Sequence, residues 1–127
     1  MSRTTIKTKD APEPIGPYSQ AILVGNTLFL SGQVALNPVT GKMENADITS
    51  EIIQVMKNLE AVLKEAGFYF TDVVKTTIFL KDLNDFNTVN EIYGASFTVH
   101  PPARETVEVS RLPRDAKVEI SLIAIKA

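Results

Sequence analysis

Two stretches of this chain keep a helical apolar period, and the stretches around them are too rich in β-branched residues to join them in an all-helical fold. From Thr49 to Ala66 the apolar positions Ile52, Met56, Leu59, Leu63 and Ala66 recur at spacings of four and three, and Gly67 supplies a stop. A second stripe, Phe86, Val89, Tyr93 and Phe97, runs from about Asn84 to Phe97, and Pro101-Pro102 forbids its continuation. Asn90 sits within this otherwise apolar stripe. Each helix therefore needs an apolar surface to lie on.

That surface is a sheet. AILVGNTLFLSG, from Ala21 to Gly32, has two β-rich runs separated by Gly25-Asn26, a two-residue hairpin signal. DVVKTTIFLKD, from Asp72 to Asp82, is a third run. ARETVEVSRL and KVEISLIAIK, separated by Pro113-Arg114-Asp115-Ala116, read as a closing hairpin. The order ββ, α, β, α, ββ predicts an α+β fold with both helices on one face of a mixed sheet. At 127 residues and 44% hydrophobic composition, residues 1–127 have room for one such domain and no second core.

Composition removes several functions. Without cysteine there is no thiol nucleophile, disulfide or zinc-thiolate site. His100 stands alone before Pro-Pro, with no second ligand at metal spacing, so no metal is called for. Thirteen basic and fifteen acidic side chains are spread along the chain for a net charge of -2, which gives no basic stripe for nucleic acid. No apolar run reaches the length of a membrane span, and the first residues lack a secretory core, so a soluble cytoplasmic protein is expected. GNTLFLSG and ALNPVTGK carry no phosphate-loop glycine pattern and read as turns.

The segment HPPARETVEVS, His100 to Ser110, is unusually charged for a strand. If it pairs with the last strand about the 113–116 turn, Val107 and Val109 share the helix-covered face with Val118, Ile120 and Leu122. Arg104, Thr106 and Glu108 then share the opposite face with Glu119 and Ser121. That face also carries Ile123 and Ile125, apolar enough to predict cover by a partner chain. Arg104 and Glu119 then read in two ways: a solvated, ion-paired sheet face, or a site in which the guanidinium grips a small carboxylate while the glutamate orients a water. In this register they lie about six residues apart along the ladder, roughly 20 Å, so a small ligand touching both would need residues from two chains.

IGPYSQA (Ile15 to Ala21), SGQ (Ser31 to Gln33), the helix containing Asn90 and Tyr93, and PPAR followed by VEVSRLPRDAKVEI together resemble the RidA (YjgF) family of enamine and imine deaminases, over essentially the whole chain. The resemblance implies a chorismate-mutase-like α+β subunit, a homotrimer with clefts between subunits, and cofactor-free hydrolysis of reactive 2-imino acids, such as 2-iminobutanoate and 2-iminopropanoate, to 2-keto acids and ammonia. Carried over by position, Arg104 matches the arginine that holds the substrate carboxylate and Glu119 the glutamate associated with water. Tyr18, Ser31 and Asn90 match cleft residues, and Gly32 leaves backbone accessible beside the ligand. Thr106 stands where many relatives have cysteine, which removes thiol chemistry, and Glu105 follows the arginine where a small residue is common, an opening for an internal ion pair with Arg104. The alternatives from other classes are a non-catalytic 2-keto acid binding or regulatory protein and, less favoured by the acidic pI, an RNA-directed translation inhibitor.

Overall fold

A computed structural model describes residues 2–127. Six strands, β1 (Arg3–Ile6), β2 (Ala21–Val24), β3 (Thr27–Gln33), β4 (Val73–Leu80), β5 (Ala103–Glu108) and β6 (Val118–Ile125), form one sheet in the order β1-β2-β3-β6-β4-β5. The helices α1 (Ile48–Glu65) and α2 (Phe86–Gly94) pack on each other, and α1 packs on β3 and β6. This is an α+β fold with a mixed sheet: β4 and β5 are parallel and every other pair is antiparallel.

The first helix follows its sequence closely. Asp47 accepts a hydrogen bond from the Ser50 amide at 2.7 Å, and this N-terminal cap holds the carboxyl below its usual range. Gly67 ends the helix at φ +80, a conformation that costs a residue with a Cβ dearly. Ile52, Met56, Leu59 and Leu63 are all buried against the sheet, each contributing about 1.5–3 kcal/mol of burial energy. Facing them are Leu28, Leu30, Ile78, Leu80, Val118, Ile120 and Leu122, the helix-side residues of β3, β4 and β6.

Two expectations are corrected. A short strand, β1, pairs with β2, and its sequence RTTI, largely exposed, is too brief and polar to announce itself. The closing hairpin does not form. β5 lies parallel to β4, with Thr76 level with Arg104 and Leu80 with Glu108, while β6 is inserted between β3 and β4. The reason is that α2 crosses over between β4 and β5, which makes those strands a parallel pair, and both edges of β6 are already taken. The 113–116 segment is a tight turn with Arg114 and Asp115 at φ 61 and 53, and it connects two strands that are not neighbours.

The faces of β5 are accordingly reversed. Arg104, Thr106 and Glu108 lie level with Thr76, Ile78 and Leu80 and take the helix side, while Val107 joins Phe79 and Glu119 on the open side. That open face exposes Phe29, Val107 and Ile125 by between 41% and 48%.

One buried polar side chain ties the helix layer to the segment after β3. Asn58, 0% exposed, donates to the carbonyls of Val34 and Leu36 at 3.0 Å each and accepts from the Gln54 amide at 2.9 Å. Replacing it with Ala takes a donor from each carbonyl, although that of Val34 still accepts from the Leu36 amide at 2.8 Å. Asn58→Ala is therefore expected to cost about 1–3 kcal/mol in urea unfolding, and Gln54→Ala about 1 kcal/mol, the lower end of that range, since it removes a single donor, the one to the buried Asn58 Oδ1.

Candidate functional site

Arg104 points from the edge strand β5 toward α2. Its Nη1 donates to Asn90 Oδ1 at 2.7 Å, and its guanidinium carbon lies 5.1 Å from the centre of the Tyr93 ring and 5.5 Å from that of Phe86. Phe86, Asn90 and Tyr93 are spaced by four and three, so one helix face supplies both rings and the amide. The rings attract the cation and fix its plane. Tyr93 is fixed in turn: its hydroxyl is 2.7 Å from Thr76 Oγ1, and its ring lies 4.7 Å from that of Phe97. Among the described residues no carboxylate pairs with Arg104. Its remaining donors face a shallow cleft of about 440 Å³ bordered by Gly94, Phe97, Pro101 and Pro102. Two residues along the same face, Thr106 Oγ1 is buried without a hydrogen-bond partner among the described residues.

Glu119 belongs to the open face, level with Phe79. Its carboxyl lies against Gly32 so closely that a Cβ there would overlap Oε2 and stand 2.9 Å from the carboxyl carbon. Burial pushes its pKa up, and nothing among the described residues offsets that cost. Ser31, Gly32 and Tyr18 border the same cleft of about 380 Å³, together with Ile15 and Arg114. Ser31 Oγ donates to the Ser19 carbonyl at 2.6 Å, leaving its lone pairs to the cleft. Tyr18, 50% exposed, is carried by a loop that Gln20 fastens. The buried Gln20 amide accepts from the Thr8 amide at 2.7 Å and donates to the carbonyls of Thr8, Ala11 and Pro12.

The residues singled out from sequence thus fall into two groups. Arg104, Asn90 and Thr106 are on the helix side at one edge; Tyr18, Ser31, Gly32 and Glu119 surround the second cleft. Arg104 and Glu119 do not share a face, which corrects the expected arrangement: they pair with Thr76 and Phe79, three residues apart on β4 and so on opposite sides of the pleat. No small molecule reaches both within one chain. Glu105 does not engage Arg104 either. It pairs with Lys75 and accepts from Thr77 Oγ1 at 3.3 Å on the open face, and the Lys75 contact holds its carboxyl below the usual range. Among the described residues no three His, Asp or Glu side chains are grouped where they could hold a metal ion.

Sequence reading missed the part played by Phe86 and Tyr93, which look like ordinary core positions, and by Ile15 and Arg114. The signal for the rings was Asn90 interrupting the apolar stripe between them. Gly32→Ala is expected to fold with near-native stability, because the group it displaces is the end of a flexible side chain. The Glu119 carboxyl should swing into solvent, and its pKa should fall toward that of an ordinary glutamate in a carbon-13 titration of the side-chain carboxyl.

The family model described as Endoribonuclease L-PSP matches residues 8–126. A RutC family protein of Pyrococcus abyssi is 50% identical over 126 residues, covering 99% of each chain. The 2-iminobutanoate/2-iminopropanoate deaminase of Escherichia coli K12 is 49% identical over 129 residues, again covering 99% of each. The crystal structure of the YjgF gene product of Escherichia coli superposes with a TM-score of 0.91 at 48% identity, covering 98% of this chain and 99% of that one. With full-length identity near one half, the same fold and a family model spanning nearly every residue, the chain belongs to the RidA (YjgF) family.

Proposed function

We propose that this protein hydrolyses small 2-imino acids, such as 2-iminobutanoate and 2-iminopropanoate, to 2-keto acids and ammonia, in clefts shared between copies of the chain in a homotrimer. The observation that carries the reading is Arg104: a cation oriented by Asn90 and two rings, with no carboxylate partner among the described residues. An oriented guanidinium binds a small carboxylate through its planar fork. The deaminase name of a relative 49% identical to this chain points to the same substrate class.

The second group supplies what water addition needs. Glu119, partly desolvated, accepts a proton from the attacking water as its oxygen bonds to the imine carbon, giving a carbinolamine. The protonated carboxyl returns that proton to nitrogen. The C–N bond then breaks, ammonia leaves with the bonding electrons, and the Glu119 carboxylate takes the hydroxyl proton as the ketone carbonyl forms, passing it to solvent to close the cycle. A protonated imine is already electrophilic, so orientation and one base suffice for the chemistry.

Because Arg104 and Glu119 lie on opposite faces of one sheet, a complete site takes Arg104 from one copy and Glu119 from its neighbour. The exposed Phe29, Val107 and Ile125 on the open face support burial of that face between copies.

Arg104→Ala and Glu119→Ala should each remain folded and lose most imine hydrolysis in an assay coupled to a pyridoxal-phosphate-dependent dehydratase. Mixed in equal amounts under conditions of subunit exchange, they should recover up to about a quarter of wild-type activity, the share of clefts that receive both intact residues. Saturable keto-acid binding without faster keto-acid release would instead establish the non-catalytic binding protein.

The reaction also requires Glu119 as carboxylate, the form present above its raised pKa. Turnover should therefore fall as the pH drops through that value, at a higher pH than an exposed glutamate would give, and Glu119→Gln should lack this acid limb. A pH series of kcat measures it.

A further inference from the structure

The first turn of α1 carries a carboxylate that neither of the two clefts uses. Glu51 is 0% exposed. Its Oε2 accepts from the backbone amides of Lys117 at 2.5 Å and Val118 at 3.2 Å, while Oε1 is buried without a partner among the described residues. Burial pushes its pKa up. The two amide hydrogen bonds and the charge of Lys117 act against that push, and Asp85 adds to it. A carboxylate in the core with one oxygen unmatched is a costly feature, so what it holds matters.

It holds the point where the 113–116 turn becomes β6. β3 pairs with β6 only as far as Ile120, so the amides of Lys117 and Val118 lie beyond the end of that ladder, and Glu51 supplies the acceptor. On the other side, the Lys117 carbonyl accepts from the Lys81 amide at 3.0 Å. The residue that follows is Glu119. The turn that precedes contributes Pro113 and Arg114 to the wall of the Glu119 cleft. Gly32, lacking a Cβ, leaves the room in which the Glu119 carboxyl stands, so a shift of the strand start changes where the carboxyl sits against that backbone.

We propose that Glu51 is a positioning residue for Glu119: from a fixed place on α1 it anchors the amides of Lys117 and Val118, where the chain enters the final strand, and through them sets the stance of the Glu119 carboxyl over Gly32. The inference rests on the imine-hydrolase reading for its kinetic consequence alone. Arg104, which holds the substrate carboxylate, is on β5 beneath α2, and Glu51 touches neither element by hydrogen bond. A change at Glu51 therefore acts on the chemical step and spares binding.

The test uses three variants. Glu51→Ala removes the acceptor, Glu51→Asp withdraws it by one methylene, and Glu51→Gln keeps a carbonyl oxygen for the two amides without a titrating group. Expected for Ala and Asp are a fall in kcat of about ten- to a hundredfold with KM changed less than about twofold, and faster hydrogen exchange at the Lys117 and Val118 amides. Gln should restore both. Should the Ala variant not fold, the Asp variant decides. A folded Ala or Asp variant with wild-type kcat, a rise in KM that accounts for the loss, or failure of Gln to rescue overturns the proposal. If the wild-type protein shows no turnover, the imine-hydrolase reading falls on its own. The carbon-13 titration of Glu119 then decides this inference: a changed curve in the Ala or Asp variant, restored in Gln, supports it, and an unchanged curve overturns it.

Discussion

A β-sheet sends alternate side chains to opposite faces, and on this one the pleat separates the cation from the acid. β4 is the reference strand: Thr76 is level with Arg104 and Phe79 with Glu119, an odd interval, so the guanidinium lies under the helices and the carboxyl on the bare side. Glu119 cannot be moved across without slipping β6 by one residue, which would also turn Val118, Ile120 and Leu122 out of the core. The core fixes the register, and the register keeps the two groups apart. Within one chain the sheet stands between them.

The two groups are prepared differently for such a meeting. Arg104 has its plane and one donor already committed, by two rings and Asn90, so little side-chain freedom remains to be lost when an anion arrives. Glu119 has the reverse condition: it is desolvated and has no partner among the described residues, which raises its pKa and makes it a better proton acceptor once ionised. An ion pair between them in one chain would have cancelled both preparations. The unusual Glu105 does not interfere, because alternation sends it to the open face, where Lys75 and Thr77 take up its charge.

Elements with local causes were legible in the sequence. α1 was expected at Thr49–Ala66 and runs Ile48–Glu65, because its stripe, cap and terminal glycine all lie within the segment itself. The Gly25-Asn26 turn separates β2 from β3 as read. What failed was non-local. Pro113 to Ala116 has the composition of a hairpin turn, yet the partner of β6 is decided by competition among strands far apart in sequence, and β3 and β4 win both of its edges. Once that pairing was misassigned, the alternation of β5 was anchored to the wrong neighbour and its faces were inverted. The choice of candidate residues did not depend on that pairing, since residue type and motif point to Arg104, Asn90, Ser31, Gly32 and Glu119 without any register. Phe86 and Tyr93 were hidden for a different reason: an aromatic ring under a guanidinium and one in a core give the same apolar period.

Where the structure departs from full hydrogen bonding, the departures are not scattered. Among the described residues, the buried side-chain atoms lacking partners are Thr106 Oγ1, two residues along β5 from Arg104, and Glu51 Oε1, on the residue that anchors the start of the strand bearing Glu119. Elsewhere buried polar groups are matched with care: Gln20 satisfies four backbone groups and Asn58 two. A fold that pairs its polar atoms this thoroughly, yet leaves one unmatched beside each half of the candidate site, concentrates its unfavourable terms where function would require them. The Thr106 hydroxyl is buried two residues from Arg104 on the face that the helices cover, and the Glu51 carboxylate leaves one oxygen unmatched while the other holds two amides at the start of the strand bearing Glu119.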